Sequence, residues 1–213
     1  MSELIKNFNS TLKTALISMG FKNSKGIFLF PLDKEISGWL GISKGTRYGV
    51  ISLTPLVGLT HRTIQDLDQR LRKVKPNKEL FPVVTKPLTY ISNQAYDPKL
   101  VETLEDIPVE VDRMIESIKL YALPFYEQNG NLENLLKFMI AGYGYPEKRR
   151  RVTPITHLLL GDKKSAISFV EKELENMRNE TGPSRDEYET FAKNFFIYVN
   201  EGKLPPLEEC RKI

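Results

Sequence analysis

The chain has 213 residues, 31 Lys+Arg against 27 Asp+Glu, and a formal net charge of +4. One cysteine, Cys210, excludes an internal disulfide scaffold. Thirteen Gly and 13 Pro exclude a collagen-like or low-complexity chain, and 40% hydrophobic residues are enough to bury a core.

The charge is uneven. Residues 1–106 carry 15 basic and 10 acidic side chains, whereas 107–213 carry 16 and 17. Most of the excess lies between Thr60 and Lys78, where Arg62, Arg70, Arg72, Lys73, Lys75 and Lys78 face only Asp66 and Asp68. A second basic run is Lys148-Arg149-Arg150-Arg151.

In chain order, Leu4, Ile5, Phe8, Leu12, Leu16 and Met19 recur at helical spacing and predict a helix over 3–19, closed by Gly20. Segments 26–32, 37–43 and 47–56 are rich in β-branched and aromatic residues and predict an antiparallel meander. The turns fall at Asp33-Lys34 and Lys44-Gly45-Thr46. Pro31 fits a strand end. Thr60 caps a helix over 61–74, with its arginines off the apolar stripe of Ile64, Leu67, Leu71 and Val74. Residues 82–91 read as a fourth strand, and 92–106 as irregular or a short helix.

From Ile107 the periodicity is helical throughout. Asp106 caps a helix that Pro124 breaks. Asn131 caps 132–141, with Leu132, Leu135, Leu136, Met139 and Ile140 inward, and Gly142 closes it. Residues 143–152 read as an aromatic, basic loop. Thr153-Pro154 restarts a short helix to Gly161. Asp162 caps 163–178 and Ser184 caps 185–200; residues 201–213 read as a loose tail. Strands followed by helices argue an α+β fold: an N-terminal helix, an antiparallel meander with a packed helix, then an all-helical bundle. The division expected is 1–106, 107–200 and a tail at 201–213.

No catalytic constellation emerges. His61 and His157 are 96 positions apart, whereas zinc sites use close ligand pairs. Cys210 reads as an exposed thiol in the tail. GWLGISKGT (38–46) has Lys44-Gly45-Thr46 in place of the Gly-Lys-Ser/Thr order of a phosphate loop, so it reads as a hairpin turn. No cofactor and no metal are expected. The N-terminus lacks the basic start and apolar run of a signal peptide. No window approaches the roughly 18 apolar residues of a membrane span. A cytoplasmic location follows as the expectation.

The remaining candidates are partner-binding residues: Arg62, Arg70, Arg72 and Lys73 on the first basic segment, Tyr143, Tyr145, Arg149, Arg150 and Arg151 on the second, and Trp39 on the meander. Phe28, Phe30 and Tyr48 flank Trp39 as an aromatic platform or as core. Aromatics with cations suit a protein partner, or alternatively nucleic acid through the two basic patches.

Two resemblances accompany this reading. ITHLLLGDKKSAISFVEKEL (155–174) resembles a tetratricopeptide-type helical hairpin, with Gly161-Asp162 at the turn and Ala166 at the crossing. It implies close-packed antiparallel helices. Met19-Gly20-Phe21-Lys22 followed by Gly26-Ile27-Phe28 resembles, over about the first 60 residues, bacterial α+β domains of polymorphic-toxin immunity proteins. It implies a non-enzymatic protein-binding role of immunity, antitoxin or defence-accessory type.

Overall fold

In the computed structural model, helix α1 (Ser2–Ser18) places Leu4, Phe8, Leu12 and Leu16 on one buried stripe. The structure describes residues 2–47, 50–75, 77, 79–91, 100–206 and 210. Gly20 ends α1 with φ 93, donating to Ile17 O, while Phe21 N returns to Leu16 O. That paired closure needs a left-handed residue, which glycine supplies without a Cβ penalty.

The fold is α+β. Strands β1 (Lys22–Ser24), β2 (Ile27–Pro31), β3 (Ile36–Arg47), β4 (Val50–His61) and β5 (Val84–Pro87) are neighbours in that order, and β6 (Leu100–Val101) also pairs with β4. The meander thus has an extra leading strand. Lys25 and Gly26, with φ 47 and 85, make its turn to β2, the double positive φ of a tight hairpin. The expected turn at Lys44-Gly45-Thr46 is corrected: β3 runs through all three residues, because pairing with β4 overrides local turn chemistry. β4 also extends to His61, so His61 rather than Thr60 caps the following helix, its Nδ1 accepting from Ile64 N. Within 92–106, residues 92–99 lie outside the described residues and 100–101 form β6.

Two compact units emerge, and their borders differ from the expected division at 106/107. Unit 1 comprises 1–59 and 85–130; unit 2 comprises 60–84 and 131–213. The reason is where the helices bury their faces. In unit 1, α3 (Asp106–Ser117) packs on α1, burying Val111 and Met114. Pro124 does not break this helical run. A π-helical turn at 118–122 leads into α4 (Leu123–Asn129), so the proline sits in a first turn, where its missing N–H costs little. Tyr126 of α4 is fully buried over Gly38 of β3, and its hydroxyl donates to Trp39 O at 2.9 Å.

Unit 2 is built round α2 (Arg62–Leu71), which contacts α6 (Pro146–Leu159) and α8 (Pro183–Glu201). Ile64 and Leu71 are fully buried on it, and so nearly are Gln65, Asp68 and Gln69. The polar side is occupied too. Gln65 donates to Glu79 O at 2.6 Å and accepts from Phe81 N at 2.7 Å, and Gln69 accepts from Asn77 N at 2.7 Å. α5 (Leu132–Ile140) starts at the Asn131 cap, and α7 (Lys163–Asn176) starts at the Asp162 cap, as their residue types predict. α6 and α7 pack together with Ala166 buried.

Three expectations about unit 2 change. Residues 146–152 belong to α6, opened by Pro146 in its first turn, and Pro154 lies inside that helix rather than restarting one. α8 begins at Pro183, not after Ser184. The tail is not loose in its described part: Pro205 is buried, its carbonyl accepts from Arg70, and Cys210 is only 4% exposed.

Candidate partner-binding groove

The two basic segments meet inside unit 2, but they meet around acids. Arg151 Nε on α6 donates to Asp68 Oδ1 on α2 at 2.8 Å, and Arg72 reaches the other oxygen at 3.2 Å. Glu187 Oε1 on α8 takes both cations, Arg72 at 3.3 Å and Arg151 at 3.2 Å. Asp68 is 5% exposed, and the two arginines are 14% and 13% exposed. Each guanidinium is thus shared between carboxylates from two helices, a geometry suited to its planar fork. Lys148 donates to Pro82 O at 2.7 Å. Burial lowers its ammonium to about 8, a shift that Asp68 opposes and the two arginines reinforce.

The other proposed cations have distinct places. Arg150 pairs with Glu173 at 3.2 Å and Glu180 at 3.6 Å. Arg70 Nη2 donates to Pro205 O at 3.0 Å. Lys73 follows the α2 cap with φ 57, and Arg62 is exposed in the first turn of α2. Arg149 Nη1 donates to Met139 O at 3.2 Å at the C-terminal end of α5, a carbonyl that also accepts from Gly142 N at 3.1 Å. No carboxylate pairs with Arg149 among the described residues, and its Nε is buried without a partner.

Among the aromatics, Tyr143 packs edge-on against Phe138 with centroids 5.6 Å apart, while Tyr145 is 73% exposed. Trp39 is half-buried, its register partner is Leu29, and its indole nitrogen is buried without a partner. Phe28 is core, and Phe30 stacks towards Tyr126 at 6.4 Å; Tyr48 lies outside the described residues. Adjacent strand positions alternate faces, so Trp39 lies on the sheet face opposite Phe28 and Phe30, and the three do not form one aromatic platform.

What unit 2 does present is a groove of about 350 Å³ between α5, α6 and α7. Ile140, Pro146 and Phe169 give it apolar walls, with Arg149, Arg150 and Glu173 at its polar positions. Ile140 was expected inward; it is 67% exposed, because Leu135 and Met139 already fill the buried side of α5. Tyr145 caps α6 immediately before Pro146. The groove thus collects Arg149 and Arg150 from the sequence-derived candidates and adds Phe169 and Ile140, the latter expected inward, while Tyr145 directly precedes the wall residue Pro146. An apolar slot beside a guanidinium without a carboxylate can accept an aliphatic or aromatic side chain with an acidic neighbour.

Among the described residues, no group of three or more His, Cys, Asp or Glu is placed to hold a metal ion, and no helix is long and apolar enough to cross a membrane. No family model, curated protein or solved structure matches the chain.

Proposed function

We propose that the chain is a non-enzymatic protein-binding module, and that the α5–α6–α7 groove receives an apolar side chain of the partner with a carboxylate against Arg149. One observation carries this reading. Ile140, 67% exposed, lines a groove in which Arg149 lacks a carboxylate, and Tyr145, 73% exposed, directly precedes its wall residue Pro146. Large exposed apolar residues next to an under-used guanidinium are the residue types of interface hot spots.

Binding of nucleic acid through the same basic residues has less support. Arg72, Arg150 and Arg151 each lie on carboxylates, and Lys148 on a backbone carbonyl, so their charge is already answered inside the protein. The narrower role, an immunity or antitoxin-like factor, draws on the resemblance of the first 60 residues.

The test is affinity capture from the native host with wild type, Ile140→Glu and Tyr145→Ala. A stoichiometric protein retained by wild type and lost in both variants supports the groove. Equal retention by all three overturns it. Toxicity of the captured partner, relieved on co-expression with this chain, tests the narrower role.

A further inference from the structure

We infer that unit 2 carries a second docking cleft, distinct from the α5–α6–α7 groove, for an acidic, extended segment of a partner protein. The cleft measures about 510 Å³ and lies where the C-terminal half of α8 meets the strap 203–206 and the end of α2. Lys73, Lys193 and Lys203 line it, and no carboxylate does among the described residues. Its floor is apolar, with Ile197 36% exposed and Leu204 half-buried.

The charge of Lys193 and Lys203 is available. Lys193 is exposed and has no partner among the described residues. Lys203 pairs with Glu201 at 2.8 Å, but both are more than half exposed, and such a pair contributes little and exchanges readily. Lysines are compact point charges on flexible stems, suited to carboxylates spaced along a chain rather than to the bidentate grip that arginine gives a phosphate.

Two further observations favour a peptide. Asn194 lines the cleft and is only 6% exposed. Its amide donates to Leu71 O at 2.8 Å, which leaves its carbonyl oxygen without a donor among the described residues. A peptide N–H supplies that donor; a simple anion does not. Lys73 occupies a left-handed position, φ 57, that closes α2 through Lys73 N to Arg70 O and Val74 N to Gln69 O. Glycine is the cheaper residue in that closure. A lysine kept there, with its side chain lining the cleft, is strain stored at a binding surface. The cleft is also preformed, because Arg70 pins the strap through Pro205 O.

The test is fluorescence anisotropy with a fluorescein-labelled peptide of alternating Glu and Leu. Its counterpart with every Glu replaced by Gln serves as control. Wild type binds the Glu peptide, and Lys193→Glu weakens it by about tenfold or more. Lys73→Gly weakens it while raising the Tm, a combination that a merely structural lysine does not produce. Ile140→Glu leaves it unchanged, which separates this cleft from the groove above. The inference is overturned if wild type does not bind the peptide, if the Gln form binds equally, or if Lys193→Glu has no effect. Tighter binding of a single-stranded oligonucleotide through the same lysines also overturns it, by assigning the cleft to nucleic acid.

Discussion

Asp68 and Arg151, 83 positions apart, are joined at 2.8 Å across α2 and α6, and the same carboxylate holds Arg72 on its other oxygen. Arg72, Arg150 and Arg151 answer acids within the same unit, so the number of basic residues in the two segments overstates the positive surface offered to a partner. The Asp68–Arg151 pairing also makes a polar cluster the junction of three helices, since Glu187 of α8 closes it.

Removal of Asp68 should therefore be costly. Asp68→Ala leaves Arg72 and Arg151 sharing Glu187 alone and leaves Lys148 without its nearest counter-charge. The expected loss is about 3 kcal/mol, typical of breaking one side of a buried pair. Urea denaturation reads it as a lower midpoint. Glu175→Ala is the control: its pair with Arg178 has both side chains more than 70% exposed, and the midpoint should barely move. Similar shifts for the two variants would contradict the cluster's role.

Lys148 gives the cluster a pH dependence of defined sign. Burial depresses its ammonium from 10.5 to about 8, so above pH 8 the folded state binds fewer protons than the unfolded state. Stability linked to this group rises with pH from about 8 upward, as the penalty of a buried charge is relieved. Lys148→Met should remove that rise. The measurement is the difference in urea midpoint between wild type and variant from pH 7 to 9.5. That range stays below the tyrosines, whose buried hydroxyls at 126 and 188 titrate above their ordinary value. A difference that stays constant over the range would place the lysine's charge in solvent.

Local signals and tertiary ones divide the legible from the illegible here. Leu4, Phe8, Leu12 and Leu16, the Asn131 and Asp162 caps, and Gly20 and Gly142 are local, and each acts as its residue type predicts. β1 is three polar residues, Lys-Asn-Ser, with no periodicity to read; only pairing with β2 makes it a strand. Gln65, Asp68 and Gln69 look like a solvated face because their partners lie on a loop and on α6, too distant in sequence to infer. The i,i+4 pair Asp68–Arg72 was the one local hint of the cluster. Ile140 carries the opposite lesson: its type argues core, but α5 had one apolar position more than it could bury.

Gly38 should resist enlargement for a packing reason. A Cβ built there meets Tyr126 Cδ2 at 2.5 Å, and Tyr126 is held from its far end by the bond to Trp39 O. Gly38→Ala is expected to cost about 2 kcal/mol through overpacking. Tyr126→Leu alone is also destabilising, but the double variant should lose less than the sum of the two. Thermal melts of the four proteins measure that coupling, and strict additivity would mean that the ring moves aside freely.

Cys210 tests the C-terminal segment. At 4% exposure, with Sγ 3.5 Å from Pro206 O, its thiol is shielded as long as the strap stays pinned through Arg70 and Pro205. A disulfide-exchange reagent should label the native protein at least about tenfold more slowly than the urea-unfolded chain, because a buried thiol is inaccessible to it. Arg70→Met removes the donor to Pro205 O while keeping an apolar stem against the strap. It should speed labelling without matching the unfolded rate, because local release of the segment leaves the rest of unit 2 folded. Labelling of the native wild type at the unfolded rate would show that the segment does not pack as it does here. No change in Arg70→Met would shift the restraint from the hydrogen bond to burial of Pro205 itself.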